Sequence, residues 1–163
     1  MVDPKNVATG RNNKANGAAF ELRVRKDLED KGWIVSKWPN NIIDGKLCAA
    51  KHKWNGPGRP MALGTGFPDF IAFRLIWEVE DFNEQTRGGT IHNFEFENMP
   101  KMLYEIIGVE SKINGYLDKV ERLKCQWYLN NNVFSKILVA SKTKVKNRIV
   151  IKYEDFEEKY GSN

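Results

Sequence analysis

The sequence predicts an α/β fold in which a mixed central sheet is flanked by helices. Three observations carry that expectation. The N-terminal region is rich in helix formers and stops at Gly32, several short apolar segments are separated by turn residues, and an amphipathic helical pattern at 116–130 lies between strand candidates. With 163 residues and 41% hydrophobic content, the chain has enough apolar material for one compact core.

The elements follow in order. Residues 1–14 are polar, contain Pro4 and Gly10 and show no hydrophobic period, so they are expected to form a flexible arm ahead of a single domain at 15–163. A helix then runs from about Asn16, capped by Asn13 or Asn16, to Lys31. Residues 33–38 alternate apolar and polar, as a half-buried strand does. The stretch 39–66 is dense in Asn, Gly and Pro and is expected to be mostly loop, a first insertion. Residues 67–73 form an apolar strand candidate. A second insertion, 75–99, suggests a hairpin with strands at 76–79 and 91–96 around Arg87-Gly88-Gly89. Residues 105–113 are a strand, Asn114-Gly115 a turn, and 116–130 a helix carrying Leu117, Val120, Leu123 and Trp127 at helical spacing. Strands at 134–141 and 148–153 and a short helix at 154–160 close the chain. Helix, three strands, helix and two strands imply the mixed sheet.

Composition narrows the function. No apolar segment is long enough to span a bilayer, and the N-terminus lacks the apolar core of a secretory signal, so a cytoplasmic protein without a membrane partner is expected. The two cysteines, Cys48 and Cys125, are expected to be reduced. Cys48 and His52 are a single ligand pair, whereas a structural zinc normally needs two. A net charge of +5 favours anionic partners. Between 133 and 152 the residues Lys136, Lys142, Lys144, Lys146, Arg148 and Lys152 occur without an acid, which suits either a phosphate-contacting surface or a solvated edge hairpin. Lys51, Lys53 and Arg59 surround Trp54 in the first insertion and form a second candidate contact for nucleic acid. The other tryptophans lie at strand or helix spacing and suit a core.

Chemistry concentrates in two segments, Gly66-Phe67-Pro68-Asp69-Phe70-Ile71-Ala72 and Ile107-Gly108-Val109-Glu110-Ser111-Lys112. Each puts charge into an apolar strand candidate, where a carboxylate must be paired or bound to a metal. Strand periodicity places Glu110 and Lys112 on one face, about 7 Å apart. Gly17, Glu21, Val24 and Leu28 share a helix stripe, so Glu21 faces the sheet. Singly, Asp69 after Pro68 also suits a turn, and Glu110 with Lys112 an exposed edge pair. Jointly with Glu21 they suit a hard-oxygen site for Mg²⁺ or Mn²⁺, with a lysine to position a water or offset developing charge.

At these residues the chain resembles the PD-(D/E)xK nuclease superfamily, written here as Pro68-Asp69 and Glu110-Ser111-Lys112. Val109-Glu110-Ser111-Lys112 leading into Tyr116-Leu117-Asp118-Lys119 is closest in flavour to archaeal and viral Holliday-junction resolvases. The resemblance implies a restriction endonuclease-like fold and Mg²⁺-dependent hydrolysis of DNA phosphodiesters, with Mn²⁺ able to substitute. It further implies selectivity for branched DNA in recombination or repair, and a homodimer, because resolution takes two cuts. Asp69, Glu110 and the Ser111 carbonyl would hold the metal, Glu21 would assist, and Lys112 would act on the nucleophile. Gln126 would be an accessory residue reaching the site from its helix. Two other readings fit the same residues: a non-catalytic nucleic-acid-binding protein on this fold, and a sequence-specific restriction or repair nuclease that reads DNA through its two insertions.

Overall fold

The computed structural model of the protein describes residues 4–49, 52–53, 57, 62–63, 66–78, 102–146 and 148–161. Its first element, α1 (Pro4–Asp30), begins well before the expected start. Most of the stretch read as a flexible arm therefore continues the helix, and Asn13 and Asn16 are interior positions rather than caps. Thr9 and residues 12–16 are exposed, so these positions offer no buried face to impose a hydrophobic period. Phe20, Val24 and Leu28 form the buried line, with Glu21 half-buried beside it. The helix ends in a Schellman arrangement with Gly32 at φ 83: Gly32 N–H donates to Glu29 O at 3.0 Å and Trp33 N–H to Leu28 O at 3.1 Å.

The described chain continues through β1 (Ile34–Lys37), β2 (Asn40–Ile43), β3 (Lys46–Ala49), β4 (His52–Lys53), β5 (Ala62–Leu63), β6 (Phe70–Glu78) and β7 (Met102–Ser111). It closes with α2 (Lys119–Asn130), β8 (Lys136–Val145), β9 (Arg148–Asp155) and α3 (Phe156–Tyr160). A five-stranded mixed sheet has the order β1-β6-β7-β8-β9, in which only the β7–β8 pair is parallel. The chain is thus mixed α/β, as expected. The α2 crossover explains the parallel pair, since parallel neighbours need a connection long enough to return the chain to the starting end.

The first insertion departs from expectation, because it holds two small antiparallel ladders, β2–β3 and β4–β5. Asp44 and Gly45 have φ 49 and 69, the two positive values of a type I′ hairpin turn, and Gly45 adopts its value without a Cβ to clash. This Asp-Gly pair was the readable signal. Near the second insertion, the expected strand at 76–79 is instead the end of β6, which carries an irregularity in register between Leu75 and Trp77. The expected strand at 91–96 lies outside the described residues.

The sheet divides the core into two layers. Phe20, Val24, Leu28, Val35, Phe70, Ala72, Ile107, Val109 and Ala140 pack on the α1 side. Phe67, Leu117, Cys125, Tyr128, Phe134, Ile137, Val139 and Phe156 pack on the other. In that second layer Trp38 stands edge-on to Phe134 at 5.1 Å, and its indole N–H donates to the Tyr128 hydroxyl at 3.2 Å. The inward face of α2 differs from the expected stripe. Val120 and Leu123 are 60% and 63% exposed, and the inward line is Glu121, Cys125 and Tyr128. An acid, Glu121, takes an inward position and hides the period.

Stability should follow this assignment. Leu28→Ala empties a fully packed position and is expected to cost about 2–5 kcal/mol in urea unfolding. Leu123→Ala should stay within about 0.5 kcal/mol. The opposite order would return Leu123 to the core.

Candidate active site

The site forms where β6 begins and β7 ends. Asp69 precedes β6 by one residue instead of lying inside the strand, after a cis Phe67–Pro68 peptide. Phe70 pairs with Val109, and the same antiparallel register sets Asp69 opposite Glu110. Pro68 packs against Gly108, where an added Cβ would meet Pro68 Cγ at 2.9 Å and the Phe134 ring at 3.1 Å. Absence of a side chain at 108 lets the two segments close.

The two carboxylates interlock. Asp69 N–H donates to Glu110 Oε2 at 3.0 Å, and Ser111 N–H donates to Asp69 Oδ2 at 2.9 Å. Each acid satisfies a backbone donor of the other segment. Glu110 is only 5% exposed and lies on the α2 face of the sheet, alternating with Ile107 and Val109 on the α1 face. Lys112 shares that face, its Nζ 3.1 Å from Glu110 Oε1 and also paired with Glu121 Oε1. On the α1 face, Glu21 pairs with Lys37, whose ammonium sits 4.4 Å above the Phe70 ring.

Burial and like charge act together on the acids. Glu110 is pushed up to about 8, first by burial and then by Asp69, and the nearby Lys112 offsets only part of this. Asp69 is also raised by burial, with Glu21 adding to the shift and the Ser111 N–H and Lys37 opposing it. Burial works against the charge of Lys112, yet hydrogen bonding to Glu121 and the charge of Glu110 raise its pKa above the usual lysine value. Burial likewise pushes the Cys125 thiol up, with Glu110 and Glu121 adding to it, so Cys125 is not an activated nucleophile.

The structure therefore joins Asp69, Glu110, Ser111 and Lys112, and couples Glu21 to Asp69 from the other face. It removes Gln126, which is exposed and donates to Asn130 Oδ1 at 2.9 Å. A position three to four residues away from Glu121 would face the site, and Gln126, five residues on, points outward. Glu121 is the α2 residue that reaches the site. Its readable signal was Asp118-x-x-Glu121, a capping box, which the helix indeed uses. No family model, characterised protein or solved structure matches the chain.

Among the described residues, no three His, Cys, Asp or Glu side chains gather into a metal-holding group. Glu21 is turned to Lys37 and Glu110 to Lys112. Of the second basic group, Lys53 belongs to β4, whereas Lys51, Arg59 and Trp54 lie outside the described residues. No described helix is long and apolar enough to cross a membrane. Cys48 and Cys125 are free thiols.

The buried glutamate makes stability pH-dependent. Between its ordinary 4.5 and its folded value of about 8, the unfolded chain ionises Glu110 while the folded chain keeps the proton. Folding then takes up a proton, so this contribution is complete below the lower value and lost as pH rises through the upper one. The melting temperature of protein treated with chelator should fall from about pH 5 to about pH 8, and Glu110→Gln should flatten that slope. An equally steep slope in the variant would place the titrating group elsewhere.

Proposed function

We propose that the protein is a metal-dependent DNA endonuclease of the PD-(D/E)xK kind on a restriction endonuclease-like core. One observation carries the reading: Asp69 and Glu110, distant in sequence, interlock across adjacent segments, and Lys112 shares the glutamate from two residues on. The order α1, β1, β6, β7, α2, β8, with β8 parallel to β7, agrees with it.

The donor set fits a hard divalent cation. Two crowded carboxylates, both held above their usual pKa, are relieved by a cation that takes their charge. Asp69, Glu110 and the Ser111 carbonyl would hold Mg²⁺ or Mn²⁺, with Glu21 close enough electrostatically to assist. Bound there, such an ion lowers the pKa of a coordinated water and neutralises phosphate charge. Lys112 then presents its ammonium beside Glu110, where it orients a water and offsets charge developing on phosphate oxygens.

Placement on the sheet supports DNA as the substrate. β8 runs parallel to β7 and continues beyond Ala140, the partner of Ser111, so the β8–β9 hairpin projects from the end of the sheet that holds the site. Lys142, Lys144 and Lys146 are exposed along it, whereas Lys136 and Lys152 pair with Asp155 and Glu154. Residues 39–66 also leave β1 and re-enter β6 at this end, while the 79–101 connection starts and finishes at the opposite one. Of the two insertions, 39–66 is therefore the one attached at the site end of the sheet. Selectivity for branched DNA, and a homodimer to make paired cuts, complete the proposal.

Labelled four-way junction, flap, linear duplex and single-stranded DNA, each with Mg²⁺, Mn²⁺ or EDTA, test it. Cleavage should require a divalent ion and prefer the junction. Asp69→Asn and Glu110→Gln retain acceptors for the interlocking N–H groups, so they should fold yet lose cleavage. Lys112→Ala should lower kcat by about 100-fold or more. DNA that is bound but never cut, with either ion, would leave a binding protein.

The hairpin is tested separately. Replacing Lys142, Lys144 and Lys146 with Ala should weaken binding to every DNA and flatten the dependence of log K on log salt, by about one unit for each phosphate that is no longer neutralised. An unaltered slope would make these lysines a solvated edge that discourages strand pairing.

A further inference from the structure

Lys112 has two carboxylate partners, and they are held in different ways. Glu110 belongs to its own strand and is already committed to the Asp69 N–H through Oε2. Glu121 stands in the first turn of α2, where Oε2 accepts the Asp118 N–H at 3.0 Å and Oε1 meets the Lys112 ammonium. Asp118 Oδ1 in turn accepts the Glu121 N–H at 2.9 Å, completing the helix cap. The glutamate has therefore lost its rotamer freedom to the cap, so the pair costs only the entropy of ordering the lysine. One and two turns along the same helix face, the buried Cys125 and Tyr128 anchor α2 to the sheet.

We propose that Glu121 is the positioning residue for Lys112, fixing its ammonium beside Glu110 through a carboxylate locked by the α2 cap. The catalytic consequence rests on the nuclease reading, in which Glu110 is occupied with its own ligand and a second anchor keeps the lysine in place. A residue that only capped the helix would have no need of the lysine, and glutamine also serves at this capping-box position.

Glu121→Gln separates the two roles, since it retains an acceptor for Asp118 N–H but removes the charge facing Lys112. Full-length protein with isotope-labelled lysine is observed by NMR, with the Lys112 signals assigned by their loss in Lys112→Arg. Wild-type protein should show a protected Lys112 ammonium and a rigid terminal methylene. In Glu121→Gln, at unchanged helix content, proton exchange from that ammonium should accelerate about tenfold or more. Cleavage of junction DNA with Mg²⁺ should lose about 10- to 100-fold in kcat at unchanged KM. Lys112 signals identical to wild type in Glu121→Gln would overturn the proposal, as would a mobile, freely exchanging ammonium in the wild type itself. A wild-type protein that cuts no DNA would instead sink the nuclease reading, while the NMR comparison would still decide what holds Lys112.

Discussion

Where β6 begins and β7 ends, side-chain carboxylates take over from the backbone ladder. Asp69 and Glu110 each accept an N–H from the opposite segment, so neither can swing away without leaving a partly buried donor unpaired. The separation of the two acids is set by the sheet. Pro68 against Gly108 closes the same junction from below, and the pairing of β7 with β8 carries Lys112 onward, its N–H bonded to Ala140 O at 2.8 Å.

That arrangement concentrates negative charge. Four carboxylates, Glu21, Asp69, Glu110 and Glu121, share two ammonium groups, those of Lys37 and Lys112. The imbalance falls on the two acids with least access to water or cations, which is why Asp69 and Glu110 are the carboxyls raised. Such a pair is poorly explained as a stabilising feature, since a buried like-charge contact opposes folding at neutral pH. On the proposed function the same excess is what a divalent cation meets.

Topology brings the remaining parts to that end of the molecule. β1 ends there with Lys37, β6 starts there after Asp69, β7 ends there with Glu110 and Ser111, and β8 passes through on its way to the exposed basic hairpin. Glu21 approaches from the α1 layer and Glu121 from the α2 layer, so the acids reach the end of the sheet from both faces.

Local pattern was enough to show the mixed α/β class, the Gly32 stop, the Asn114-Gly115 turn, the strands around Ile107 and Ile137, and the candidate group Asp69, Glu110 and Lys112. Each depends on neighbours in sequence: a period of two, a turn residue, or a charge inside an apolar run. The helix over 12–16 was not legible, because exposed positions have no buried face to impose a period. The inward side of α2 was hidden from pattern because Glu121 and Cys125, rather than Val120 and Leu123, turn to the sheet. Which acid meets which donor, why Gln126 points away, and how Lys37 and Glu121 join the group were decided by tertiary structure alone. Strand register and the burial of both faces bring together residues from 9 to 42 positions apart, and a sequence records their kinds without recording their distances.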